Sequence, residues 1–388
     1  MILKLIVGCL LVLSLGLVSA AHRGATQLNV TIAPVTEPIN FGPLINAPNG
    51  HISFQRNPQG FRIWVPGRRN LSLKVQPDPS HEEGGFLFDI SDWSSDDLAA
   101  AEPTFTLGHL VDDDEPNCGS YIFDRNYEAL NAIVPGAEPG TLLGLYDAEY
   151  HVDCPNGEPL LSSIGIATST DGGVTWQNQS QIIQGLDEAT FKAAGVVKRQ
   201  FAALPNIVDS GASGPSVVVR EADGADYLYL YYADRTPITG GPDSIYVARA
   251  LLTADGAQDS WQKWDGTSWG KIGRQKPATP ILVPSGGARL ALQPHVSWNT
   301  SLNEWLMVFK TAIDFEVATS VDGLHWDSPV SLLRFDPKFK NGFPTLISVD
   351  EGERSQQVTG ATAYLYWSSL APDAKVYAGQ RALVTISK

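Results

Sequence analysis

Short apolar runs separated by turn residues set the pattern of this chain. The clearest stretch lies between residues 213 and 263. After Gly214-Pro215 comes an apolar run at 216–219, then others at 227–232 and 244–250, and Trp261-Gln262-Lys263-Trp264 opens a fourth. Runs of this length, rich in Val, Tyr and Ile and bounded by Gly, Pro and Asp, predict strands rather than helices. The same order returns within 293–333, with runs at 296–298, 305–309 and 315–320 and then Trp326 onward. It returns within 119–183, at 120–123, 142–146 and 164–169 and then from Trp176. A shorter copy spans 343–388, with runs at 345–349, 363–367 and 383–386, and the most diverged spans about 46–108, with runs at 51–54, 62–65 and 86–90. Helical signals are thin: one surface helix over 187–198 and a turn or two over 96–102.

A unit recurring five times, each copy with about four antiparallel strands, predicts an all-β chain. The arrangement that accounts for the repeat is a single five-bladed β-propeller with four-stranded antiparallel blades. Its blades fall at about 46–108, 118–185, 213–265, 293–333 and 343–388, within one domain over 21–388. A jelly roll or two-sheet sandwich is the competing all-β fold and explains the repeat less well. Composition agrees with many strands and turns: the 388 residues include 36 Gly, 26 Pro and 10 Trp but only 2 Met. The net charge of -15 disfavours nucleic acid and anionic membranes as partners, because the field of the whole chain repels phosphate.

Residues 1–20 have the layout of a signal peptide: Lys4, an apolar run over 5–18, and the small residues Ser19 and Ala20. That run is shorter than the roughly 20 residues a membrane span needs, so the expected mature protein is secreted. Removing the segment takes Cys9 with it and leaves Cys118 and Cys154. An even pair in an oxidising compartment reads as one disulfide, with two buried thiols as the alternative.

Two turns carry a recognisable pattern. Ser169-Thr170-Asp171-Gly172-Gly173-Val174-Thr175-Trp176 places an Asp where it can bond the following turn, a Gly where positive φ is needed, and a Trp to pack between sheets. Ser320-Val321-Asp322-Gly323-Leu324-His325-Trp326 is the same device one residue shorter. Both resemble the aspartate box of sialidases and other carbohydrate-active propellers, where the box is structural. The five units, together with Gly214-Pro215-Ser216-Val217, the 227–232 run, Pro294-His295-Val296 and Phe343-Pro344-Thr345-Leu346, resemble the five-bladed glycoside hydrolases of the arabinanase, β-xylosidase and invertase-like families. The resemblance implies a central funnel in which carboxylates cleave a sugar chain.

In such a propeller the starts of first strands and the ends of second strands meet at the active face. Second-strand ends here carry Asp147, Glu149 and His151, then Asp234 and Arg235, then Lys310, then Arg68 and Arg69. First-strand starts carry Asn49 and His51, Glu115 and Asn117, Asp209 and Ser213, Gln293 and His295, and Asn341. Glycosidic cleavage requires one carboxylic acid to protonate the leaving oxygen and a second to activate water or attack the sugar. Glu149 is the first choice for the acid, because Tyr146 and Tyr150 flank it and apolar neighbours raise a carboxyl's pKa. Asp234 or Asp147 is its partner. His151, Arg235, His295, Arg69 and Lys310 are the candidate sugar-binding groups. Cys118 and Cys154 both fall at this mouth, so a disulfide there would close a loop of about 35 residues and stiffen the segment carrying Glu149 and His151.

The chain also departs from the family's pattern. Acidic residues open the first strands of the first three blades in those enzymes, whereas Asn49, Asn117 and Ser213 stand at those positions here. No organic cofactor is expected and no catalytic metal, although the propeller axis admits a structural calcium ion. The expected function is that of a secreted, monomeric glycoside hydrolase acting on a poly- or oligosaccharide through paired carboxylates. A non-catalytic carbohydrate-binding propeller and a sialidase-like exo-glycosidase are the alternatives.

Overall fold

The computed structural model describes residues 28–35, 38–39, 41, 48–57, 60–66, 85–94, 103–111, 123–124, 127–151, 160–186, 209–236, 241–274, 278–284, 290–336, 338–349, 356–374 and 377–388. They form 22 strands and two short 3-10 helices. None of their helices is long and apolar enough to cross a membrane. The segments 96–102 and 187–198, expected to be helical, lie outside the described residues, as do residues 1–20, Arg68, Arg69, Cys118 and Cys154.

The strands fall into five successive antiparallel units. The first contains β2 (Ser53–Asn57), β3 (Gly60–Val65), β4 (Gly85–Trp93) and β5 (Thr104–Val111). The second contains β6 (Tyr127–Pro135), β7 (Leu142–His151), β8 (Leu160–Ser169) and β9 (Thr175–Ile183). The third runs β10 (Asp209–Ala222), β11 (Ala225–Arg235), β12 (Ser244–Leu251), β13 (Gln262–Trp264) and β14 (Trp269–Ile272). The fourth is β15 (Leu292–Asn299), β16 (Glu304–Lys310), β17 (Asp314–Ser320) and β18 (Val330–Arg334). The fifth is β19 (Lys340–Ser348), β21 (Thr362–Leu370) and β22 (Ala378–Ser387). Its fourth strand is β1 (Asn29–Ile32), which comes from the other end of the chain and pairs with β22 in a register of Asn29 with Ser387. A short β20 (Val358–Thr359) runs parallel to β15.

In one place the sequence misleads. The first strand of the second unit is β6, whereas Phe123, in the run read as that strand, lies in a turn with Asp124. Seven consecutive buried residues from Glu128 to Val134 give β6 the larger burial, and a tight hairpin in which the Gly136 N–H donates to the Thr141 carbonyl pairs it directly with β7. Burial on both faces removes the alternation that marks a half-exposed strand.

The core lies between consecutive units. One apolar cluster joins the first unit to the second through Trp64, Trp93, Tyr146 and Trp176, and also takes in Ile347 and Tyr366 of the fifth. Further clusters join the second unit to the third, the third to the fourth, and the fourth to the fifth, where Val30 and Ile32 of β1 pack in from the edge. Aspartate turns hold adjacent units in register. Asp171 accepts the N–H groups of Val174 and Thr175, and the backbone it folds presents the Gly172 and Gly173 carbonyls to Arg62 and Trp64 of the first unit. Asp322 accepts from Leu324 and His325, and its turn presents carbonyls to Arg220 and Tyr231 of the third unit.

The inner strands share one irregularity. Register shifts fall between Leu130 and Ala132, Ser213 and Ser216, Leu292 and His295, and Gly342 and Thr345. At three of these bulges the residue before a proline has positive φ: Gly214 at 63°, Gln293 at 53° and Phe343 at 56°. Glycine adopts that conformation freely, whereas Gln293 and Phe343 are held in it at a cost of about 1–3 kcal/mol each. Bulges re-aim side chains and concentrate beside active sites. At the start of β10 Gly211 permits another close approach. Its φ is +99°, and a Cβ there would sit 2.1 Å from the Ser162 carbonyl oxygen, where β10 meets β8. Gly211→Ala is expected to destabilise the chain by more than about 2 kcal/mol, measured by urea denaturation. A variant within 0.5 kcal/mol of wild type, roughly the scatter of neutral surface changes, would refute this account.

Candidate functional site at the inner-strand mouth

The ends of β7, β11 and β16 bring Asp147, Glu149, Arg235 and Lys310 to the bulged ends of the inner strands. Asp147 links two units: its Oδ1 accepts the Gly214 N–H at 2.8 Å and its Oδ2 accepts from Asn131 Nδ2 at 3.2 Å. Burial is the main force on its carboxyl and pushes the pKa up to about 7. The nearby Glu149 charge adds to the rise, while the Gly214 N–H, Arg235 and Asn131 oppose it. Asp147 therefore exchanges its proton near neutrality.

Glu149 follows two positions later on β7, on the same face as Asp147, and pairs in register with Tyr127 of β6. Tyr127 accepts a hydrogen bond from Asn49 Nδ2 at 2.9 Å. Tyr146 and Tyr150 do not flank the Glu149 carboxylate as the sequence suggested, because strand alternation sends them to the opposite face. Tyr146 is fully buried and donates to Asp124 Oδ2.

Arg235 is opposite Gly211 in the β10–β11 register, and its charge reaches both Asp147 and Lys310. Lys310 is largely buried, which lowers its ammonium pKa to about 8 with Arg235 contributing. No carboxylate pairs with Lys310 among the described residues. Asp234 is placed differently from its neighbour Arg235. It is buried, its Oδ2 accepts the Leu186 N–H at 2.9 Å, and its charge acts on Tyr232. His151 ends β7, with its side chain outside the described residues.

Behind the bulges lies a buried polar ring with one or more members from each unit. The His51 N–H donates to Asn131 Oδ1 at 2.7 Å, and His51 Nδ1 lies 3.1 Å from Thr345 Oγ1. The Val296 N–H donates to Ser216 Oγ at 3.0 Å. The His295 ring stands 6.0 Å from that of His51. Burial keeps both imidazoles neutral: it lowers His295 to about 3, and it lowers His51 well below its ordinary value, with His295 adding to the effect. Their Nε2 atoms are buried and have no hydrogen-bond partner among the described residues. A calcium ion needs six to eight oxygen ligands. Two imidazoles do not supply them, and no group of three or more His, Cys, Asp or Glu side chains among the described residues could hold a metal.

Asn131, Tyr127 and Phe343 escaped the sequence reading. The first two belong to the misplaced strand β6. Phe343 is half-buried, and its ring stands 5.8 Å from that of His51. Its signal was the Pro344 that follows, which the Gly214-Pro215 and Gln293-Pro294 pairs repeat.

No protein-family profile matches the chain, and no curated protein does. Solved structures do. An α-L-arabinofuranosidase from Podospora anserina in complex with cellotriose aligns over 92% of this chain and 96% of its own at 12% identity, with a TM-score of 0.50. The catalytic domain of an α-L-arabinofuranosidase from Coprinopsis cinerea aligns over 89% and 95% at 12% identity, with a TM-score of 0.46. An α-L-arabinanase mutant from Cellvibrio cellulosa aligns over 87% and 91% at 9% identity, with a TM-score of 0.43. At such identities the likeness concerns the fold, and in fold this chain is similar to the β-propeller glycoside hydrolases that its repeated units resemble.

Proposed function

We propose that the five units close into a single propeller and that this chain is a secreted glycoside hydrolase whose carboxylates work at the inner-strand mouth. One observation carries the reading: Asp147 and Glu149 share a face of β7, and burial holds Asp147 near pKa 7 beside Arg235. Glu149, the more exposed member, is the acid that protonates the leaving glycosidic oxygen, and Asp147 is its partner. What supports Asp147 rather than Asp234 as the partner is that Asp147 shares a face of β7 with Glu149, whereas the Asp234 charge acts on Tyr232. Tyr127 and Phe343 supply flat surfaces for a sugar ring. Secretion follows from residues 1–20, and a disulfide between Cys118 and Cys154 would brace the loop beyond β7.

A non-catalytic glycan-binding propeller is the second reading. Asn49 and Ser213 favour it, because they occupy inner-strand positions where the enzymes resembled carry acids. A screen of polysaccharides and aryl glycosides with wild type and Glu149→Gln separates the two. Loss of the general acid is expected to reduce turnover by about 10²–10⁴-fold with the circular dichroism spectrum unchanged. Full activity in the variant would remove Glu149 from the chemistry. Saturable binding with no turnover on any glycan would leave the binding reading.

A further inference from the structure

We infer that Asn131 is a positioning residue for Asp147: its side-chain amide, locked in one orientation by two backbone groups, dictates which carboxylate oxygen faces Gly214 and which faces β6. The bearing of this contact on glycan cleavage rests on the reading of Asp147 as the partner of Glu149. Asn131 is the extra residue of the β6 bulge, since Leu130 pairs with Tyr146 and Ala132 with Leu145. Ala129, two residues earlier, lies directly opposite Asp147 in the same register. A bulge re-aims its side chain, and here the buried Asn131 amide turns back along β6 to that point. Its Nδ2 donates one N–H to the Ala129 carbonyl at 2.8 Å and the other to Asp147 Oδ2 at 3.2 Å.

The orientation of the amide is forced. Its Oδ1 accepts the His51 N–H at 2.7 Å, so a flip would set donor against donor there and acceptor against acceptor at the Ala129 carbonyl. The first unit also crowds the amide, because a Cβ on Gly50 would lie 2.5 Å from Asn131 Oδ1. Asp147 Oδ2 therefore always meets an N–H, and Oδ1 meets another from Gly214. Neither donor can take a proton from the carboxyl, so both favour the carboxylate against its burial. The charged groups that act on Asp147 are Glu149 on its own strand and Arg235 on β11, and they pull in opposite directions. The two N–H donors fix the carboxyl in place, and Asn131 supplies the one that comes from a side chain.

The test is NMR titration of the full chain with no sugar present. It follows the Asp147 carboxyl-carbon signal, identified by its loss in Asp147→Asn, and the Gly214 amide proton. Both are expected to titrate with one midpoint in the wild type. Asn131→Asp keeps an acceptor for the His51 N–H but turns an oxygen toward Asp147. The shared midpoint should then rise by about one pH unit or more, as it does for two carboxylates in one site, and the melting temperature at pH 8 should fall. Exchanging the groups, Asn131→Asp with Asp147→Asn, moves the donor to the other side of the same contact and should recover most of that melting temperature. Where Asn131→Asp does not fold, recovery of folding in the exchange variant decides the matter. A Gly214 amide that does not follow Asp147, an unmoved midpoint in Asn131→Asp, or an exchange variant no more stable than Asn131→Asp overturns the inference. A glycan screen without turnover would remove the hydrolase reading and leave this contact standing, whereas turnover with an unmoved midpoint would do the reverse.

Discussion

Asp147→Asn is expected to stabilise the folded chain at pH 8 and to leave its stability at pH 4 nearly unchanged. The folded-state pKa of about 7 lies above the ordinary value of 3.8. Between those values the folded chain keeps a proton that the unfolded chain has released, so stability falls as pH rises through the window and stays reduced above it. At about 1.4 kcal/mol per pH unit, the interval corresponds to roughly 4 kcal/mol as an upper bound. The amide keeps an acceptor for the Gly214 N–H and carries no charge to desolvate, and it gives up only the longer bond that Oδ2 accepts from Asn131. Urea denaturation of both proteins from pH 4 to 8 measures the effect, and parallel stability curves would refute it. His295 provides an internal control with the opposite sign. Its folded value of about 3 lies below the ordinary 6.5, so its contribution is complete above pH 6.5 and is lost as pH falls toward 3. Asp147→Asn should leave that acid limb in place. If Asp147 takes part in turnover, the same variant loses the limb near pH 7 from its kcat/KM profile.

The fold was legible because each unit repeats the same local chemistry. Asp-Gly turns, aromatic second strands and a proline after each of three bulges are properties of neighbouring residues, and neighbouring residues are what a sequence displays. Two features depended on partners distant in the chain. β1 completes the fifth unit by pairing with β22 across nearly the whole sequence, and nothing in Asn29-Val30-Thr31-Ile32 names that partner. β6 is buried on both faces and so lost the alternation that marks a strand.

The site was legible in part for a related reason. Polar residues at second-strand ends stand out in a chain that is 18% charged, and this singled out Asp147, Glu149, Arg235 and Lys310 as candidates. Which carboxyl is desolvated depends on side-chain direction. Residues adjacent in sequence point to opposite faces of a strand, so the tyrosines beside Glu149 shield a different face. The group they were expected to tune sits at the mouth, and the Gly214 bulge of the next unit covers Asp147 instead.

The second large effect concerns the contact between the first two units. Trp64 Nε1 of β3 and Trp176 Nε1 of β9 donate to the same acceptor, the Gly173 carbonyl, at 2.9 and 3.0 Å. Both indoles are fully buried. Trp176→Ala is expected to lose about 3–5 kcal/mol, the usual consequence of emptying a large buried aromatic site. The sharper test uses phenylalanine, which retains most of the packing. A carbonyl oxygen accepts two hydrogen bonds, so Trp64→Phe or Trp176→Phe alone still leaves it a partner. Removing both donors strands a buried acceptor, which costs about 1–3 kcal/mol. The double variant should therefore be less stable than the two single losses predict, with a coupling of about 1 kcal/mol or more in a double-mutant cycle. Additivity within about 0.3 kcal/mol, the ordinary error for independent sites, would mean that the shared carbonyl does not hold the units together. The Asp171 turn would then matter only for the way it places Trp176 in the core. A measured coupling would make the turn a joint between units, because Asp171 folds the backbone that presents this oxygen to both indoles.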